Sequence, residues 1–250
     1  MSEQSPHTES PGQSRPAAPA GPASAAAPAG SASAAGSAAP VPAGGAVYRI
    51  AKRLFDIVFS LIAIVIGIVP SLILCIVIRI DSPGSPIYVQ DRVKALCDDG
   101  TPVVFRMYKF RSMIDGADEY LDNISDLNEA DGPLFKIVED PRVTRVGRFI
   151  RRHSIDELPQ FLNVLKGDLS IVGPRPPLPR ELEYYGEREF GRLAVRPGLT
   201  GPWQVSGRSN LGFQQMVDFD LDYIRTRSFS RDLSYVARTV GVMFSGEGAA

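Results

Sequence analysis

The longest uninterrupted apolar stretch runs from Ile57 to Ile78, 22 residues bounded by Asp56 and Arg79 and free of charge. At about 1.5 Å of rise per residue, a helix of this length reaches ~33 Å, enough to cross a hydrocarbon core. A buried helix of a soluble domain is usually shorter and amphipathic. The pattern therefore predicts a membrane-inserted helical segment over residues 47–81. Pro70 lies inside the run, where it removes one backbone hydrogen bond and crowds the preceding turn. Ser71 offers a donor for the carbonyl left over. Arg49, Lys52 and Arg53 precede the run, and Arg79, Arg92 and Lys94 follow it. A positive-inside bias on both flanks places both ends in the cytoplasm, which a single span cannot do. A helix–break–helix entering and leaving one leaflet satisfies both observations and is preferred to a straight span.

Beyond the run the periodicity shortens. Ile87 to Val89 and Pro102 to Phe110 read as strands, with Asp98-Asp99-Gly100 as the turn of a hairpin between them. Ile114 to Leu127 has a helical, acidic period, and Glu129 to Asp140 reads as loop. Arg142, Arg145, Arg148 and Arg151 recur every three residues, with Val143, Val146 and Ile150 between them and Arg152 adjoining. A solvated helix face explains this stripe, and so does a basic face set against lipid headgroups or a pyrophosphate. Phe213 to Phe244 reads as two amphipathic helices split near Ser228-Phe229-Ser230.

Composition changes the picture at the amino-terminal end. From Pro16 to Ala46 every residue except Val41 is Pro, Ala, Gly or Ser. Such a stretch has almost no side chain to offset the entropy of ordering, so residues 1–46 are expected to be a disordered tail. Residues 82–250 then form the soluble catalytic part. The formal net charge of −1 gives no footprint for nucleic acid, and none is expected as a partner. Cys75 and Cys97 form no CxxC pair, and His7 and His153 are far apart, so neither a zinc site nor a disulfide framework is suggested. The opening MSEQSPHTES lacks the basic and apolar regions of a secretory signal, which places the catalytic part on the cytoplasmic face of the cell (inner) membrane.

Candidate chemistry is concentrated after the arginine stripe. Ser154-Ile155-Asp156-Glu157 fits a capping box, but Pro159 would then break a helical bond. With Asp156 as the cap, Pro159 falls harmlessly in the first turn of a helix from about Glu157 to Leu165. The helix start would carry two carboxylates beside a group of arginines, where anions are attracted and a carboxylate stays ionised. Capping alone is the plainer alternative. Gly173-Pro174-Arg175-Pro176 puts one arginine on a stiff loop, either a preformed fork for phosphate or a simple surface turn. Arg196-Pro197-Gly198-Leu199-Thr200-Gly201 and Gln204-Val205-Ser206-Gly207-Arg208 make a Gly-rich basic loop around Trp203. Loops of this kind commonly cradle phosphates or a nucleobase.

The ordered set KRLFDIV, an apolar run with an internal proline, YKFRSM, DPRVTRVGRFIRRHSIDELPQ, NVLKGDLSIVGPRP, RPGLTG and QVSGRS resembles the bacterial sugar transferases, the monotopic polyprenyl-phosphate phosphoglycosyl transferases. The match covers about residues 49–246 and looks like the small catalytic domain alone. The resemblance implies an α+β, mostly helical single catalytic domain anchored by a re-entrant helix–break–helix. It also implies transfer of a sugar 1-phosphate from a UDP-sugar to polyprenyl (undecaprenyl) phosphate, with release of UMP through a covalent phosphosugar-aspartate, as the first membrane step of exopolysaccharide or glycan assembly. By the same resemblance Asp156 is the nucleophile, Glu157 the Mg²⁺ ligand, and Arg151 and Arg175 phosphate contacts. Arg208 holds the nucleotide-sugar, while Lys109 and Arg111 lie near the site in less defined roles. Arg196, in RPGLTG, joins them as a basic candidate. Pro202 stands where a Leu or similar residue is expected. Partners are the UDP-sugar, polyprenyl phosphate and the bilayer; a homo-oligomer is left open. The rival is a membrane-anchored scaffold that uses the arginine stripe to bind anionic lipid without catalysis.

Overall fold

The computed structural model describes residues 45–120, 128–129, 132–135, 137, 139–207 and 211–245. The tail expected over residues 1–46 lies outside them up to residue 44, and Ala46 already opens the first helix. The chain is mostly helical with a small amount of sheet. In order come α1 (Ala46–Asp81), β1 (Ile87–Leu96), β2 (Pro102–Phe110), α2 (Arg145–Arg152), α3 (Gln160–Lys166) and β3 (Ser170–Val172). They are followed by α4 (Glu187–Phe190), β4 (Gly198–Thr200), α5 (Pro202–Ser206), α6 (Phe213–Thr226) and α7 (Phe229–Ser245).

Helix α1 is long and apolar enough to cross a membrane. It stays helical through Pro70, so the expected break does not appear as an interruption. A proline deletes a single donor, and the ladder resumes one turn later. The two ends of α1 are both fastened to the same folded unit. At one end Arg53 donates to the carbonyls of Val164 and Leu165 at 2.7 and 2.9 Å, capping α3. Asp56 accepts from Ser170 Oγ at 3.0 Å and Ile171 N at 2.9 Å. Tyr48 and Lys52 both donate to Asp232 of α7 at 2.9 Å. Phe55 and Phe59 join a core of Phe105, Met107, Val164, Leu169, Ile171, Tyr223 and their neighbours. At the other end Ile78 is buried with Phe110 and Ile150, and Leu74 and Cys75 pack against them. Between these anchors the helix is bare: Val65 and Ile66 are each 72% exposed.

β1 and β2 form an antiparallel hairpin in register from Ile87↔Phe110 to Leu96↔Pro102, with a bulge between Val93 and Ala95. The expected turn is present, with Gly100 at φ +82°, but β1 extends well past Val89. β3 pairs with β4 in parallel, Ser170 opposite Gly198 and Val172 opposite Thr200. Here the backbones come so close that a Cβ on Gly198 would lie 2.0 Å from Gly173 N. Only glycine permits that approach, which fixes where the following Pro174-Arg175 loop leaves the sheet. The two carboxy-terminal helices appear as expected. The helical period over Ile114–Leu127 is not realised where it can be seen: residues 115–120 are turns, and 121–127 fall outside the described residues. Gly116, at φ +71°, turns the backbone out of the right-handed helical region at the third residue of the segment.

Candidate active site

Asp156 and Glu157 lie in a 3₁₀ turn, Ile155–Glu157, ahead of α3. The expected helix from Glu157 capped by Asp156 is therefore corrected. Pro159 occupies the N-cap of α3, and no side chain caps it. The reason is tertiary. Ile155 and Leu158 pack against the Ile78–Phe110–Ile150 cluster, which turns the carboxylate between them inward, and Asp156 is only 9% exposed. Ser154 enters the turn at φ 54°, ψ 25°, and it has the one positive φ outside glycine among the described residues. A left-handed serine costs about 1–2 kcal/mol, and backbone strain of this sort gathers at functional sites.

Burial pushes Asp156 up to about 6, with Lys109 opposing the shift, Glu157 adding to it and Arg151 opposing. Glu157 Oε1 lies 3.7 Å from Lys109 Nζ, beyond the ~2.7–2.9 Å of a charge-assisted hydrogen bond. Its carboxylate is 31% exposed and so can accept a further ligand. Mg²⁺ is commonly held by one or two carboxylates plus substrate phosphates rather than by a closed protein cage. Among the described residues no group of three or more metal-ligating side chains exists. Glu157 with Asp156 thus fits a magnesium ion completed by a diphosphate, and does not fit a self-sufficient metal centre.

The arginine stripe divides. A three-residue repeat on a 3.6-residue helix drifts about 60° per step, so its members cannot share one face. Arg145, Arg148 and Arg152 are exposed, Arg151 is half-buried, and its charge bears on Asp156. Arg142 precedes α2 and is buried, bonded to Asp140 at 2.9 and 2.7 Å and to the Ala117 carbonyl at 3.0 Å. Arg111, expected near the site, donates instead to the carbonyls of Ser82 and Pro83 at 2.5 and 2.6 Å, securing the exit of α1. Arg196 is exposed ahead of β4, and Arg208 lies outside the described residues.

Arg175 is not an open fork. Nη1 and Nη2 donate to Glu181 Oε2 and Oε1 at 2.9 and 3.1 Å, with Glu181 1% and Arg175 20% exposed at the side chain. Burial works against both charges, but each outweighs it for the other, so Arg175 is raised and Glu181 lowered. Sequence reasoning missed Glu181, and it missed Arg92 as more than a flanking charge. Arg92 is buried and donates to the Pro176 carbonyl at 2.9 Å and to Gln90 Oε1 at 2.6 Å. Burial first, and Arg175 next, push Arg92 down to about 9. Glu157 is among the charges that Arg92 feels, which ties this group to the acidic pair. No local pattern signals it, since Arg92 and Pro176 are 84 residues apart.

With this geometry in hand, similarity to known proteins can be weighed. Residues 47–246 match the family described as bacterial sugar transferase. The chain is 43% identical over 203 residues to a galactosyl transferase, CpsE, of Streptococcus agalactiae, covering 81% of this chain and 44% of that protein. It is 40% identical to a UDP-galactose-lipid carrier transferase of Erwinia amylovora, covering 80% of this chain and 42% of that protein. It is 35% identical to the exopolysaccharide production protein ExoY of Rhizobium meliloti, covering 83% of this chain and 90% of that protein. The chain thus spans less than half of the first two relatives and nearly all of the third.

Proposed function

Because the chain belongs to the bacterial sugar transferase family, we propose that it transfers a sugar 1-phosphate from a UDP-sugar to polyprenyl (undecaprenyl) phosphate, releasing UMP, on the cytoplasmic face of the inner membrane. The observation that carries this reading is the place of Asp156. Its neighbours Ile155 and Leu158 pack on the cluster that receives Leu74, Cys75 and Ile78 of the apolar helix. A carboxylate there sits where a lipid phosphate can arrive without its chain leaving the bilayer.

In the proposed first step a carboxylate oxygen of Asp156 attacks the phosphorus that bears the sugar. The bond from that phosphorus to the bridging oxygen breaks, and UMP departs with the bridging oxygen and its electron pair. In the second step an oxygen of polyprenyl phosphate attacks the same phosphorus, the acyl phosphate bond breaks, and the Asp156 carboxylate is restored. Dividing one transfer into two is the advantage of a covalent carrier. Two carboxylates facing a diphosphate repel it, and Lys109 and Arg151 offset this from the protein side. A magnesium ion, when bound at Glu157 and the diphosphate, would supply further charge neutralisation.

The test is to incubate the purified protein in detergent with UDP-galactose or UDP-glucose, Mg²⁺ and polyprenyl phosphate, and to measure UMP. Donor alone should load one phosphosugar onto the peptide containing Asp156, seen by mass spectrometry. No UMP with any UDP-sugar, alongside binding to anionic vesicles through the exposed Arg145, Arg148 and Arg152, would favour the scaffold reading instead.

A further inference from the structure

Around Arg175 the protein spends an unusual number of buried charges. Its guanidinium is gripped end-on by Glu181, and its carbonyl accepts from Arg192 Nη2 at 3.2 Å. Arg192 is in turn fixed by Asp220 at 2.7 Å, both side chains being fully buried. The next carbonyl, Pro176, accepts from Arg92, and the Pro177 carbonyl accepts from Val93 N at 2.9 Å. Three consecutive carbonyls are thereby tied to β1 and to the segment carrying Arg192. Arg92, Arg175 and Arg192 face two buried carboxylates, Glu181 and Asp220, while the part-exposed Glu157 bears on Arg92.

Packing three guanidiniums against two buried carboxylates is costly unless a further anion arrives. A loop held only for stability would be better served by apolar packing. A fifth of the Arg175 side chain is left exposed, so the residue is not sealed off from a ligand. We propose that Glu181 is a positioning residue: it holds the Arg175 guanidinium in the one orientation that offers its exposed edge to a substrate phosphate, while Arg92 and Arg192 fix the loop beneath it. This rests on the transferase reading above. Glu181 acts through Arg175 and touches no substrate itself.

A double-mutant cycle on UMP release tests this, since only a residue acting through Arg175 loses its effect when Arg175 is gone. Glu181→Gln should lower kcat/KM by about tenfold or more in the native background and by no more than about twofold in an Arg175→Ala background. Equal losses in both backgrounds, or a native-background loss below tenfold, would overturn the proposal, because a purely structural role multiplies through. If thermal melting shows Glu181→Gln unfolded, Arg92→Lys, which keeps the charge but loses the forked contact, is put through the same cycle with the same criteria. Wild-type protein that releases no UMP from any donor sinks the transferase reading and this one together. Active wild type with multiplicative losses sinks only this one.

Discussion

At the scale of single residues, the inward turn of Asp156 has consequences for both rate and stability. In the proposed mechanism the Asp156 carboxylate must be ionised to attack, and burial pushes it up to about 6. The kcat/KM of the free enzyme should therefore fall on an acid limb near pH 6 rather than near pH 4, as a pH profile of UMP release can measure. The stability sign is opposite to that of a salt-bridged aspartate. With a folded-state value above the ordinary aspartate value of 3.8, the folded protein binds the proton more tightly, so stability declines as pH rises from about 4 to 6. Asp156→Asn removes that penalty. It should cut turnover by at least ~1,000-fold, about 4 kcal/mol of barrier, and yet melt no lower than wild type at pH 7, with the difference shrinking toward pH 4. A variant that is inactive because it melts early, or one that turns over normally, would refute this assignment. Asp156, Glu157 and Arg151 were legible as one group because they are close neighbours in the chain, whereas Lys109, far off in sequence, was named only by the family resemblance and is brought beside Glu157 by the fold. Arg111 and Arg175 were legible as important but not in their roles, since the carbonyls of Ser82 and Pro83 and the carboxylate of Glu181 that claim them are set by tertiary packing.

At the scale of elements, α1 shows both the reach of periodicity and its limit. Length and lack of charge identify the helix, whose two ends are both fastened to one folded unit. The backbone path through Pro70 is a local matter that the pattern misjudged as an interruption. Asp56 and Ile78 are 22 residues apart in this helix, so a straight run would hold them ~33 Å apart. Both are buried in the folded unit while the middle is bare. Pro70→Ala restores the missing donor and favours a straight helix, so it should strain the docking at one end or the other. A cysteine at Ala46, with Cys75 and Cys97 replaced, should resist impermeant thiol reagents added outside spheroplasts. In the Pro70→Ala background part of the population should become labelled. Ready labelling without the Pro70 change would mean a straight span. The 3₁₀ turn at Ile155–Glu157 is the contrasting case: capping rules alone put a helix there, and two apolar contacts on either side of one aspartate overrule them.

At the scale of the whole molecule, every group assigned a part in the chemistry, Arg208 included, follows Gly45 in sequence. Deleting residues 2–44 should leave UMP release within about tenfold of the full chain, ~1.4 kcal/mol in barrier terms, and a larger loss would give the tail a catalytic part. The division into apolar anchor and catalytic remainder could be read from composition, because it depends on averages over many residues. The pairing of β3 with β4 and the clustering of Arg92, Arg175 and Glu181 could not, because they join segments with no shared pattern.

The clasp between Tyr48, Lys52 and Asp232 also sets an order of events during synthesis. Tyr48 and its acceptor are 184 residues apart, so at roughly 5–20 residues per second the apolar helix is made about 10–40 s before the aspartate that will fasten it exists. Throughout that interval the apolar helix has one end untied, and its bare middle must be covered by the bilayer or a chaperone. The rest of the folded unit therefore closes around a helix that has already been made.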